Sequence, residues 1–165
     1  MIGDMVETTW LSPQERDAWL SYMFSSMLVP SALDHELQRT ARISFFDYSV
    51  LAHLSEKRDR TRTMSDLAAC TSSSLSRLSH VVNKLEKRGW VERSASSDDG
   101  RVTEARLTDT GMDELSRLAP QHVAQVRALM FDALDEQDVR DLDRISRKIL
   151  ANIDDEHWFF RRDED

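Results

Sequence analysis

The chain has one cysteine, four glycines and three prolines in 165 residues. A single cysteine excludes an internal disulfide framework and fits a reducing compartment. So few glycines and prolines exclude long low-complexity linkers and argue for a mostly helical protein. No apolar run approaches membrane-spanning length, and no basic stretch followed by an apolar core opens the chain, so the expectation is a soluble, cytoplasmic protein with no membrane partner. A glycine-rich phosphate loop is missing too, and the five histidines and Cys70 are scattered without nucleophile or zinc-ligand spacing. Catalytic residues, metal sites and cofactors are therefore expected to be none. His53 and Glu56 form one close His/carboxylate pair, of the kind that adjacent helical turns produce routinely.

Positive charge is also in deficit, since the net charge is −8. Its distribution is uneven. Between Ser72 and Arg106 there are seven Lys/Arg against five Asp/Glu, a local balance of +2 that leaves −10 on the remainder. A basic footprint on an acidic body is compatible with duplex binding and discourages indiscriminate binding elsewhere.

What is present centres on residues 63–107. Thr63 with Asp66 reads as a helix start. That helix should end near Cys70, where Thr71 and Ser72 offer side-chain oxygens to cap a second helix running to Arg88, with Gly89 in the left-handed position after it. Such a tight junction is what a helix-turn-helix requires, although its turn normally favours a glycine and none is present. At about 100° per residue, Leu75, Leu78, Val82 and Leu85 form an apolar stripe with Val81 at its edge. Ser73, Ser76, Arg77, His80, Asn83, Lys84 and Lys87 fall opposite. Small hydroxyls at Ser72, Ser73, Ser74 and Ser76 allow close approach to a groove; Arg77 and His80 reach base edges, and Lys84 and Lys87 suit phosphates. Next come Trp90-Val91-Glu92-Arg93, a polar turn and Arg101 to Leu107, which predict a two-stranded hairpin. Its tip carries Asp99 and Arg101, the arginine placed for a minor groove with a neighbouring carboxylate bracing its guanidinium.

These residues resemble the MarR family of transcriptional regulators. The resemblance rests on the helix Ser72 to Arg88, the segment Leu85 to Arg93, the Asp99-Gly100-Arg101 tip and Leu107-Thr108-Asp109-Thr110-Gly111 opening the next helix. It implies a mainly α fold with a small β-hairpin wing: a winged helix-turn-helix with N- and C-terminal dimerisation helices. The implied function is a sequence-specific, double-stranded DNA-binding regulator, not an enzyme. It would act as a homodimeric repressor on a pseudo-palindromic operator and be released by a small aromatic or lipophilic effector. Ser72, Ser73, Ser74, Ser76, Arg77, His80, Lys84, Lys87, Arg93, Asp99 and Arg101 are the expected DNA-binding residues. The family's effector crevice, between dimerisation and DNA-binding helices, would be lined by Trp19, Tyr22, Met23 and Tyr48. Other readings are a winged-helix module for protein contact and a metal- or oxidant-responsive regulator. Oxidant-sensing cysteines in the family typically sit in the first helix, which has none, and Cys70 reads as a buried structural thiol.

The division that follows is 1–42, arm and dimerisation helix; 43–108, DNA-binding region; 109–165, dimerisation helices and acidic tail, all in one compact chain. Met1 to Leu11 read as an extended arm. Ser12-Pro13-Gln14-Glu15 is a helix start, and Trp19, Tyr22, Met23, Met27 and Leu28 follow at helical spacing until Pro30, which should kink or split the helix before Leu33 and Leu37. Ser44 and Asp47 open a helix from Phe45 to about Ser55. The charged connection Glu56 to Arg62 reads as solvated rather than as a DNA contact. Thr108 should cap a helix from Asp109 to about Leu134, bent at Pro120. Asp135 should cap a last helix with Val139, Leu142, Ile145 and Ile149 on one apolar stripe. The aromatics His157-Trp158-Phe159-Phe160 in the tail should either dock on a partner subunit or fray.

Overall fold

The computed structural model describes residues 9–97 and 99–161. Most of the expected arm, Asp98 in the wing turn and the last residues of the tail lie outside the described residues.

Helix α1 runs from Pro13 to Ala41. The Ser12 hydroxyl accepts the Glu15 N–H at 3.2 Å while the Glu15 carboxylate accepts the Ser12 N–H at 2.8 Å, the reciprocal capping expected from the sequence. Pro30 does not split the helix. It removes one backbone donor, but Leu33 and Leu37 beyond it are buried and anchor the second half in the core, which outweighs the lost bond. Arg42 ends α1 in the left-handed conformation, and the Asp34 carboxylate accepts the Phe45 N–H at 2.8 Å to set the start of α2, Phe45–Ser55.

The charged connection after α2 is not simply solvated. Thr61–Thr63 form strand β1, so the wing is a three-stranded antiparallel sheet rather than a lone hairpin. Strand β1 pairs with β3 (Thr103–Leu107), which pairs on its other side with β2 (Val91–Ala95). Three residues are too short for a sequence pattern, and the strand exists because β3 offers it a free edge. The Arg62 guanidinium folds back to the His53 carbonyl at 2.8 Å and the Glu56 carboxylate at 3.3 Å, which ties β1 to the end of α2.

Helix α3 is Met64–Cys70 and helix α4 is Leu75–Lys87. The cap of α4 is Ser74, not Thr71 or Ser72: the Ser74 hydroxyl accepts the Arg77 N–H at 3.2 Å. Ser72 instead takes a positive φ of 46°, the role a glycine usually fills, and Thr71 folds its hydroxyl onto the Leu67 carbonyl at 2.7 Å. Gly89 takes φ 71° after α4, as the sequence predicts.

Helix α5, Asp109–Leu129, stops five residues short of the expected end, and Phe131–Ala133 form a 3-10 turn. Its start is seated on the wing. Thr108 accepts the Gly111 N–H at 3.0 Å and donates to the Gly89 carbonyl at 2.7 Å. A Cβ on Gly111 would stand 2.1 Å from the Trp90 carbonyl oxygen, so only glycine allows this approach. Helix α6, Glu136–Ile153, is followed by α7, Trp158–Arg161.

The core gathers α2, α3, α4, the wing and the end of α1 around Ile43, Val50, Leu51, Leu54, Leu67, Leu78, Val82, Leu85 and Leu107. Leu75 departs from its expected stripe and is 53% exposed. The stripe of α6 is not covered within the chain: Val139, Leu142, Ile145 and Ile149 are 38–47% exposed, as are Trp19, Tyr22, Phe24 and Met27 of α1 to a similar or greater degree. The tail aromatics, in contrast, dock on their own chain rather than fraying. Trp158 meets His53 edge-on at 5.0 Å between ring centroids, and Arg147 lies over Phe159 at 4.9 Å. No helix among the described residues is long and apolar enough to cross a membrane.

Candidate nucleic-acid interface

Burial of Leu78, Val82 and Leu85 fixes the rotation of α4 and leaves Ser76, Arg77, His80 and Lys87 exposed. Several expected DNA-binding side chains carry structural duties as well. The Ser73 hydroxyl is 2.9 Å from that of Thr71, and the Ser74 hydroxyl caps α4. Arg77 stacks its guanidinium over the Phe46 ring, 4.2 Å from the centroid. Lys84 reaches the Asp47 carboxylate at 2.5 Å.

The wing is fastened to α4. Arg93 pairs with Glu86 at 2.6 Å, hydrogen-bonds the Asn83 amide oxygen and donates its backbone N–H to Glu86 at 3.1 Å. Arg93 thus links strand to helix and is not a free side chain. At the tip, the Asp99 carboxylate accepts the backbone N–H of Arg101 at 3.0 Å and shapes the turn, while the other neighbouring carboxylate, Asp98, lies outside the described residues. Arg101 itself is exposed.

Sequence reasoning missed the supports on α2. Phe46 and Asp47 set the posture of Arg77 and Lys84, yet neither is adjacent in sequence, and Asp47 was legible only as a helix cap. The same holds for Arg88, whose guanidinium lies 4.7 Å from the Trp90 ring and 2.8 Å from the Arg42 carbonyl.

An open cleft of about 1020 Å³ separates the second half of α1 and α2 from α4. Phe45, Phe46, Asp47, Ser76, His80 and Lys84 are among its lining residues. None of Trp19, Tyr22, Met23 and Tyr48 lines it. Trp19 and Tyr22 are exposed on the first half of α1, and Tyr48 is buried against His122 at 4.1 Å between ring centroids. Helical spacing put these aromatics on plausible faces but said nothing about which faces meet. Burial pushes the Cys70 thiol up from its ordinary range and holds the His122 imidazole below its own.

Residues 41–102 match the model of the MarR family. Over 90% of this chain and 93% of the other, the fold superposes with TM-score 0.86 and 38% identity on Sco3205, a MarR family transcriptional regulator from Streptomyces coelicolor crystallised in complex with DNA. The chain belongs to the MarR family. Another MarR family regulator from Streptomyces coelicolor, AbsC, is 34% identical, with TM-score 0.84 over 88% of this chain and 98% of that one. Among curated MarR-type relatives, the transcriptional repressor MprA of Escherichia coli K12 is 31% identical over 108 residues, 65% of this chain. The chain spans 60% of that repressor's length. In MarR terms, α3 and α4 are the helix-turn-helix and β1 to β3 the wing.

Proposed function

We propose that this MarR-family chain is a homodimeric repressor that binds a pseudo-palindromic operator, with α4 of each subunit in a major groove and Arg101 of each wing in a flanking minor groove. The observation that carries the reading is the pairing of an exposed α4 face, Ser76, His80 and Lys87, with an exposed arginine at the tip of a wing locked to that same helix. The DNA complex of a regulator 38% identical supports it. Phosphate contacts would fall to Lys87 and Arg101, and base reading to the amino end of α4.

Dimerisation is supported by the apolar surface that α1, α5 and α6 leave uncovered, including Leu129, Val139 and Ile145. Residues 1–42 and 109–165 would form the dimer and 43–108 the DNA-binding region. A symmetric dimer buries such a stripe twice over and spaces two identical reading heads one helical turn apart. The cleft between α1, α2 and α4 is the place for a small effector, since a ligand seated there would touch the supports of Arg77 and Lys84 and shift the dimer away from its DNA-binding spacing.

The test is a fluorescence-anisotropy titration of the purified protein against the duplex upstream of its own gene, at fixed near-physiological salt. A scrambled duplex of equal length is the control, and light scattering gives the stoichiometry. Binding of one dimer, about a hundredfold or more tighter than the control, is the expected result. Equal weak binding both to these duplexes and to those recovered from a random-sequence pool, together with salt-sensitive binding to an acidic protein partner, would overturn it in favour of a protein-contact module.

A further inference from the structure

We infer that Leu75 is a base-reading residue, contacting the C5-methyl of thymine in each operator half-site. The inference rests on the DNA-binding reading above and adds to it a specificity element of apolar rather than hydrogen-bonding chemistry. Leu75 is 53% exposed, whereas Leu78, Val82 and Leu85 of the same helix are fully buried and Val81 is half-buried. It is the first residue of α4, directly after the Ser74 cap. A recognition helix of this kind meets base edges with its amino end, and helical Cα–Cβ bonds tilt toward that end, so the first side chain projects at the end of the helix that would enter the groove.

Its polar neighbours are partly occupied. The Ser73 and Ser74 hydroxyls are engaged with Thr71 and with the α4 backbone, and the Arg77 guanidinium lies against Phe46. These engagements leave the amino end of α4 with small side chains that permit close approach and one large apolar group. In the major groove, the apolar feature that distinguishes one base pair from another is the thymine methyl. A leucine against it removes both from water, and no hydrogen-bonding geometry has to be met.

The experiment uses the full chain and the best duplex recovered by selection from a random-sequence pool. Thymines in each half-site are replaced one at a time by uracil, which deletes the methyl and leaves every hydrogen-bonding group in place. At one or two positions per half-site the wild type should lose about fourfold in affinity, the worth of roughly one methyl-sized group buried. Leu75→Ala, which removes the contact from both half-sites of a dimer, should lose about that factor squared on the thymine duplex, and on a duplex carrying uracil at the corresponding position of both half-sites it should bind as the wild type does. Because the side chain is exposed, its urea midpoint should match wild type, which separates a reading defect from a folding defect. If Leu75→Ala and uracil act additively at every position, or if Leu75→Ala binds as wild type, the assignment is overturned while the DNA-binding reading stands. If the selection yields no preferred duplex, the DNA-binding reading itself fails.

Discussion

Lys84 on α4 closes to 2.5 Å on Asp47, a carboxylate only 1% exposed at the start of α2. Asp47 is simultaneously the third residue of the α2 capping box, accepting the Ser44 N–H at 2.7 Å. One carboxylate therefore fixes both the start of α2 and the posture of α4. Asp47→Ala should destabilise the fold by about 2–4 kcal/mol, combining a lost cap with a lost partner for Lys84. Lys84→Ala, which leaves the buried carboxylate without its cation, should cost about 1–3 kcal/mol. Urea titrations of the two variants measure both, and a Lys84→Ala midpoint equal to wild type would show the pair to be ornamental.

Arg101→Ala should weaken operator binding and lower the slope of log affinity against log salt by about two units for a dimer, since one phosphate-neutralising charge is removed from each of its two subunits. Anisotropy titrations between low and physiological salt read this directly. Unchanged slope and affinity would take the wing tip out of the interface.

Ser72 holds φ 46° at the helix-turn-helix junction, and its side chain is exposed. Ser72→Gly should stabilise the protein by about 0.5–1 kcal/mol, because relief of left-handed strain exceeds the added freedom of the unfolded chain. The measure is the shift in urea midpoint at unchanged slope, and a loss of stability would mean that the Ser72 side chain contributes more than its backbone strain removes.

Burial holds the His122 imidazole below its ordinary value of 6.5, with Tyr48 at 4.1 Å and Phe45 at 5.8 Å against the ring. Just below pH 6.5 the unfolded chain binds a proton that the folded chain refuses. The contribution is therefore complete above that pH and declines as pH falls through 6.5 toward the folded-state value. His122→Phe, which keeps a ring against Tyr48, should flatten this part of the stability profile. A wild-type profile already flat between pH 7 and 5 would contradict it.

The same burial that raises the Cys70 thiol should make it slow to alkylate in the native protein and fast in urea. Labelling followed by mass measurement distinguishes the two. Native-state labelling at the rate of a free thiol would reopen an oxidant-responsive reading.

Helices α1, α2, α4 and α6 were legible in the sequence because their signals are local: Ser12, Ser44 and Asp135 cap, and leucines recur at helical spacing. Strand β1 was not, since Thr61–Thr63 become a strand only by pairing with Arg106, Ala105 and Glu104 more than forty residues away. Leu75 looks like core in the sequence because periodicity gives the angle of a side chain about its axis but not where along the helix the neighbouring layer ends. The polar face of α4 was visible as composition. That Arg77 leans on Phe46, and that Arg93 is spent on Glu86 and Asn83, depends on tertiary contacts that no spacing encodes. Which residues line a crevice is likewise beyond helical spacing, for a crevice is a property of two surfaces and the sequence shows each only singly.

Gly111 lets the first turn of α5 press onto the Trp90 backbone at the foot of the wing, with no room for even a methyl between them. Wing base and helix start therefore form one solid block, and the remainder of α5 is a rod attached to it. The whole helix, 21 residues at about 1.5 Å each, is about 30 Å long. Swinging its far end by about 5° displaces that end by about 2.5 Å relative to the block, by simple lever geometry. In the dimer proposed above, the reading head would not need to deform for the distance between two such heads to change: a small bend of α5 beyond the block, magnified along the helix, would carry it out of step with the pitch of DNA.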